Sequence, residues 1–174
     1  GAADPARSDD GAGSCTSAVG RIVVVQGGVE LRRAVGRAWH AAHHDTALCD
    51  GDAVRTGPRG RAVLWISPEN LLRLDRNSLV GLTVTAAETR VEFFAAGSVT
   101  ADPSCGAGYF MSRFPRRFKV RTPTLNASIE GTEFLVQAMC TATTLSVVEG
   151  RVAVQNPDGT GTVSVGASEQ VTVT

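Results

Sequence analysis

Residues able to do chemistry are grouped at three places in the chain. His40, His43, His44, Asp45, Cys49 and Asp50 form the one metal-like cluster. Imidazole, thiolate and carboxylate suit zinc, copper or iron. In a helix, His40 and His44 would share a face. Their spacing matches no established ligand set, so His40, His43 and His44 stand only as candidate ligands beside the plainer reading of an exposed loop. Asp50-Gly51-Asp52 brings two carboxylates together, as in a glycosidase or calcium site. Glycoside chemistry needs such a pair to face each other across a substrate, about 5–10 Å apart. A turn at the entry to a strand offers no cleft, so the expectation is a turn whose Asp side chains accept backbone N–H bonds. Arg113, Arg116, Arg117, Lys119 and Arg121, interleaved with Phe114 and Phe118, form the one basic run. Cations with aromatics can grip a polyanion, and this run is the candidate anionic-ligand patch. Because Phe118 and Val120 alternate with the charges, the competing reading is a strand with a solvated outer face.

No catalytic constellation emerges, and the chain reads as a non-enzyme. No G-x-S-x-G elbow positions a serine, and no phosphate-cradling glycine fingerprint is present. Asn156-Pro157-Asp158-Gly159 carries one carboxylate, too few for a calcium loop. Asn126-Ala127-Ser128 matches a glycosylation sequon and nothing further. Gly131-Thr132-Glu133-Phe134 reads as structural: a glycine that lets the chain bend, a core phenylalanine, and a threonine satisfying a backbone group. No cofactor is expected.

The elements that must position these residues are strands. Alternation of Phe118 and Val120 with Lys119 and Arg121, and of Leu145 and Val147 with Thr144 and Ser146, puts one set of side chains on each face. Residues 22–25, Gly27-Gly28 and residues 29–31 read as a hairpin. Residues 61–66 and 71–74 read as a second, around a four-residue turn at 67–70. Residues 91–94 and 98–99 flank Ala95-Ala96-Gly97. Residues 151–155 and 162–165 flank Asn156-Pro157-Asp158-Gly159, and residues 171–174 close the series. Only residues 37–43 could form a turn or two of helix. Three segments share a Gly-Arg-strand-turn grammar, beginning at Gly20, Gly60 and Gly150. The expected fold is therefore all-β with little or no helix: an elongated stack of hairpins, roll-like, solenoid-like or a sandwich. Residues 1–18 read as a flexible N-terminal leader and 19–174 as one domain.

Composition bounds the function. Hydrophobic residues make up 43% and charged residues 20% of the 174, so the chain is globular. Lys plus Arg equals Asp plus Glu, which argues against nucleic acid as a partner. No run of about eighteen apolar residues predicts a membrane span. With neither an initiating Met nor a signal peptide, the chain reads as mature or trimmed. Cys15, Cys49, Cys105 and Cys140 contain no C-x-x-C pair, and an even count at wide spacing fits two disulfides in an oxidising compartment. Three connectivities are possible. Cys15–Cys49 with Cys105–Cys140 is preferred, because each would tie a flexible segment to a strand end nearby in sequence.

An ordered series of blocks resembles the FecR-type domain, over about residues 19–173. V-G-R-I-V-V-V-Q-G-G-V opens it at Val19. Trp39 precedes L-C-D-G-D-A-V-R-T-G, similar to the family's L-x-x-G-D-x-[apolar]-x-T-G. R-A-V-L-W-I-S-P-E-N-L-L-R-L-D-R-N-S and V-E-F-F-A-A-G-S-V follow. F-K-V-R-T-P-T-L-N-A-S-I-E-G-T-E-F-L-V, from Phe118, is the most specific block, and V-V-E-G-R-V-A-V and V-G-A-S-E-Q-V-T-V complete the series. The resemblance implies an all-β, periplasmic or secreted module without catalysis of its own, acting through contact with a protein partner in envelope-associated regulation or assembly. The alternative is a carbohydrate- or peptidoglycan-binding module that meets an envelope glycan. The family's cytoplasmic, membrane-spanning and C-terminal lobes have no counterpart in this sequence, so transmembrane signalling is not carried over. Trp39, Trp65 or Tyr109 exposed along a groove would favour sugar. A flat apolar patch or an unpaired sheet edge would favour protein.

Overall fold

A computed structural model describes residues 15–95, 104–113 and 117–174. Within them fifteen strands join one sheet that curls into a half-barrel, and no helix forms. The sheet has two wings. In the first, β4 (Thr46–Cys49), β1 (Ala18–Gln26), β6 (Arg61–Ile66), β7 (Asn70–Leu74) and β10 (Ser104–Ser112) lie side by side. In the second, the order is β3 (His40–Ala41), β2 (Val29–Arg32), β5 (Ala53–Thr56), β8 (Leu79–Val84), β9 (Thr89–Phe93) and β11 (Phe118–Arg121). Two long strands, β12 (Asn126–Met139) and β13 (Ala142–Gln155), run through both. One edge of β12 pairs with β11 through residues 126–128 and with β10 through residues 132–139. The free edge of β13 likewise carries β14 (Val163–Gly166) in one wing and β15 (Gln170–Val173) in the other. Only β9 and β11 pair in parallel.

The long hairpin bends where the wings meet. Gly131 and Gly150 face each other there at φ 62° and 85°, and the register shifts twice between Glu130 and Phe134. A Cβ on Gly150 would lie 2.0 Å from the Gly131 carbonyl oxygen. The paired bulges thus exist only because neither residue has a side chain.

Between the wings sits the core. Along β6 and β7 the alternation sends Ala62, Leu64, Ile66, Leu72 and Leu74 inward. Phe110 of β10 stacks on Phe134 of β12 at 4.8 Å, and it meets Phe93 of β9 and Phe118 of β11 edge-on at 6.2 and 6.1 Å. Four rings from four strands therefore bridge the wings. Each such pair adds roughly 0.5–1.5 kcal/mol beyond the area it buries.

Three expectations are corrected. Residues 22–31 form no hairpin, because β1 pairs with β4 and β6 whereas β2 pairs with β3 and β5. Gly27-Gly28 instead carries the chain from one wing to the other. Its backbone packs against a second glycine corner, with Gly57 N–H donating to the Gly28 carbonyl at 2.9 Å. Residues 37–43 are not helical; they have no apolar stripe, and Trp39 is held between β2 and β5. The Gly-Arg grammar marks no structural repeat. Its first two copies open β1 and β6, which are antiparallel neighbours, and only the second and third lead into hairpins. Nothing in the strand order establishes a stacked roll, solenoid or sandwich. The hairpins at 61–74 and 151–166 form, the first with Asn70 already paired to Ile66. Residues 96–103, which include the expected strand at 98–99, lie outside the described residues. So does most of the proposed leader, apart from Cys15 and the residues leading into β1.

Candidate binding face

The sequence-derived candidates are dispersed by the fold. His40 lies in β3, while His43 and His44 are exposed in the loop that joins the two ends of the sheet. His44 Nε2 lies 3.5 Å from Asp45, both well exposed. Cys49 is bonded to Cys15, which removes its thiolate from any ligand set. Among the described residues no three His, Cys, Asp or Glu side chains converge. Cys105 pairs with Cys140, closing the entry of β10 onto the end of β12.

Asp50 and Asp52 have separate structural duties. Asp50 accepts the Val84 N–H at 2.8 Å. Asp52, 1% exposed, accepts the Cys49 N–H at 2.7 Å and the Arg33 guanidinium at 2.5 Å. Arg33, 5% exposed, also donates to the Ala47 carbonyl. This buried pair ties the end of β2 to the β4–β5 turn and so clasps the two ends of the sheet. Sequence reasoning missed Arg33. A lone arginine beyond a strand gives no sign of a partner nineteen residues away.

The fold sets Arg113 apart from Arg117, Lys119 and Arg121, which alternate with the buried Phe118 and Val120 at the start of and along β11. Arg113 stands at the end of β10, and its N–H reaches the Glu69 carbonyl. Arg117 donates to the Ala86 carbonyl at 2.7 Å, and Lys119 Nζ lies 3.6 Å from Glu88. Arg121 lies beside Asn126 on the neighbouring strand. Arg116 and Phe114 are outside the described residues. Phe118 and Val120 are buried, as the alternation required. Other motif residues are structural. Thr122 Oγ1 accepts the Thr124 and Leu125 N–H groups and meets the Thr143 hydroxyl at 2.7 Å, which fixes the T-P-T-L turn against β13. Ser78, fully buried, receives the Ala107 N–H on its hydroxyl and donates its own N–H to Thr56 Oγ1. Thr132 departs from expectation. Its buried hydroxyl meets no hydrogen-bond partner among the described residues.

What the fold does assemble is the outer face of the first wing. Cross-strand register lines up Val24, Val63, Arg73, Tyr109 and Leu135 over five strands. A second row runs Arg21, Trp65, Leu71, Met111 and Glu133. Val24 is 39% exposed and Trp65 37%, high for large apolar side chains on a sheet. Along the first row, on the side away from the second, lies a groove of about 440 Å³, with Tyr109, Leu135, Val63 and Val24 in its lining and Arg61, Arg73 and Asp75 as its charged groups. The Tyr109 hydroxyl donates to Glu133 Oε2 at 2.5 Å. That hydrogen bond, with burial and the carboxylate's charge, holds the phenol's pKa above its usual value and keeps it neutral. Period-two alternation was the available signal for this face, but only long-range register could bring Tyr109 into the same row as Val63.

A family model described as FecR protein matches residues 52–153, well over half of the chain. The matched span runs from the buried Asp52 through β5 to β13, and it leaves β1 to β4 and the last two strands outside. No curated protein matches the sequence.

Proposed function

Because the chain belongs to the FecR protein family, we propose that it is a non-enzymatic, extracytoplasmic binding module that acts by protein contact in envelope-associated regulation or assembly. The observation that carries this reading is the solvent-facing row of Val24, Val63, Arg73, Tyr109 and Leu135, four largely apolar side chains around a central arginine, set in a groove that also holds Arg61 and Asp75. Aromatic and aliphatic side chains with an arginine among them match the composition enriched at protein interfaces. Both disulfides favour an oxidising compartment. Among the described residues no helix is long and apolar enough to cross a membrane.

The test compares the immobilised domain with Val63→Arg and Leu135→Arg in the groove and Gln155→Arg on the other wing, each challenged with envelope extract. The same protein should be retained by wild type and by Gln155→Arg and lost by both groove variants. Equal retention by all four would overturn the reading. A second reading has one observation in its favour: Tyr109 lines the groove, where a sugar ring could stack on it. Soluble peptidoglycan fragments that bind wild type and fail to bind Tyr109→Ala would select it.

A further inference from the structure

We propose that the outer face of the second wing holds a separate site for an apolar carboxylate, with Arg32 as the anion-binding residue. Trp39 lies against two guanidinium groups, those of Arg55 at 4.2 Å and Arg32 at 4.8 Å from its ring centroid. Arg55 is already matched, its Nε donating to Glu30 at 2.9 Å. Arg32 forms no ion pair among the described residues. Its guanidinium is thus oriented by the indole while its in-plane donors stay available. A planar fork of that kind fits a carboxylate bidentately.

Arg32 forms one wall of a cavity of about 430 Å³, within the size range of small-ligand sites. Opposite it stands Phe94, 41% exposed, with Thr83 and Glu92 alongside. The space depends on Gly81, since a Cβ there would lie 2.9 Å from the Phe94 ring. The acidic groups of the wall are matched unequally, Asp52 closely and Glu92 at a distance. Glu92 lies 3.9 Å from Arg90, and Asp52 is bonded to the buried Arg33. Arg32 is therefore the cation that lines the cavity, together with the Phe94 ring and the small surface of Ala53 and Gly81. A ligand that places a carboxylate on Arg32 and an apolar body over Gly81 against Phe94 meets both. The C-terminal residue of an apolar peptide and a free N-acylated amino acid share this chemistry.

The site is tested by amide NMR titration of the oxidised domain with N-acetyl-phenylalanine, its uncharged amide, and a short peptide ending in phenylalanine. The acid should cause saturable shifts at Gly81 and Phe94. The amide should bind at least about ten-fold more weakly, and Arg32→Gln should weaken the acid by a similar factor. Trp39→Leu, which frees Arg32 without removing its charge, should give an intermediate loss. The peptide binding more tightly than the free acid would identify a chain terminus as the source; the reverse would identify a small metabolite-like acid. Equal binding of acid and amide, unchanged binding by Arg32→Gln, or no saturable shift at Gly81 and Phe94 would overturn the proposal. Capture by the first-wing groove is independent of Arg32, so the two readings fail separately.

Discussion

Gly150→Ala tests the hinge on which the two wings fold. The added Cβ would lie 2.0 Å from the Gly131 carbonyl oxygen and 2.6 Å from Thr132 Cγ2, so the backbone of β12 must retreat by about an ångström. Two costs add. A non-glycine residue at φ 85° costs about 1–2 kcal/mol, and relieving the overlap costs a further ~1–3 kcal/mol. Two other glycines separate them. Gly159 has φ 86° with nothing within 4 Å of its Cβ position, so Gly159→Ala reports strain alone, about 1–2 kcal/mol. Gly28 has open space and no positive φ, so Gly28→Ala should be neutral or stabilise slightly, by up to about 1 kcal/mol. Urea unfolding of the oxidised domain, followed by tryptophan fluorescence, should rank the losses as Gly150→Ala at ~2–5 kcal/mol, then Gly159→Ala, then Gly28→Ala. Against a typical domain stability of about 5–15 kcal/mol the first is severe. A Gly150→Ala midpoint within error of wild type, or a larger loss from Gly159→Ala, would refute the paired-bulge account.

Breaking the buried clasp by Asp52→Leu or Arg33→Met alone should cost about 3–5 kcal/mol. The double variant Arg33→Met/Asp52→Leu should cost far less than the sum, because Arg33 Nε and Nη2 already meet no acceptor among the described residues and what is lost is chiefly the cap on the Cys49 N–H, about 1 kcal/mol; additive losses in a double-mutant cycle would contradict this. Each disulfide closes a loop of 34 or 35 residues, so replacing either cysteine pair by alanines should lower the unfolding free energy by ~2–4 kcal/mol, and an unchanged urea midpoint would count against it. Tyr109 is the single tyrosine, so absorbance at 295 nm reads it alone. Its midpoint should lie above the usual value near 10 and fall toward about 10 in Glu133→Gln. The sign follows from the raised folded-state pKa: the hydrogen bond's stabilisation is intact below pH ~10 and fades as pH rises through the folded midpoint. A midpoint unmoved by Glu133→Gln would remove the hydrogen bond from the account.

Local signals in this chain were legible and long-range ones were not. Alternation puts Phe118 and Val120, and Leu145 and Val147, on one face of their strands, and all four are buried. Gly131 reads as a bend, and it forms one against Gly150. The same logic failed at Gly27-Gly28, because positive φ permits a turn without saying which strand the chain will next join. Register to distant strands decided that, with residue 22 opposite residue 64 and residue 31 opposite residue 54. The basic run looked continuous in sequence, but Arg113 lies beyond β10 whereas Lys119 meets Glu88 across the parallel pair. The groove was invisible for the same reason. Its walls come from segments around residues 24, 63, 73, 109 and 135, which adjoin only once β10 inserts between β7 and β12.

The central claim is that the first wing's outer face makes the functional contact. A photocrosslinking amino acid placed at Leu135, and separately at Gln155 on the other wing, tests it in intact cells making the protein. The account predicts one discrete crosslinked protein from position 135 that is absent from position 155 and lost when Val63→Arg is added. The same product from both positions, or a product from 155 alone, would contradict it.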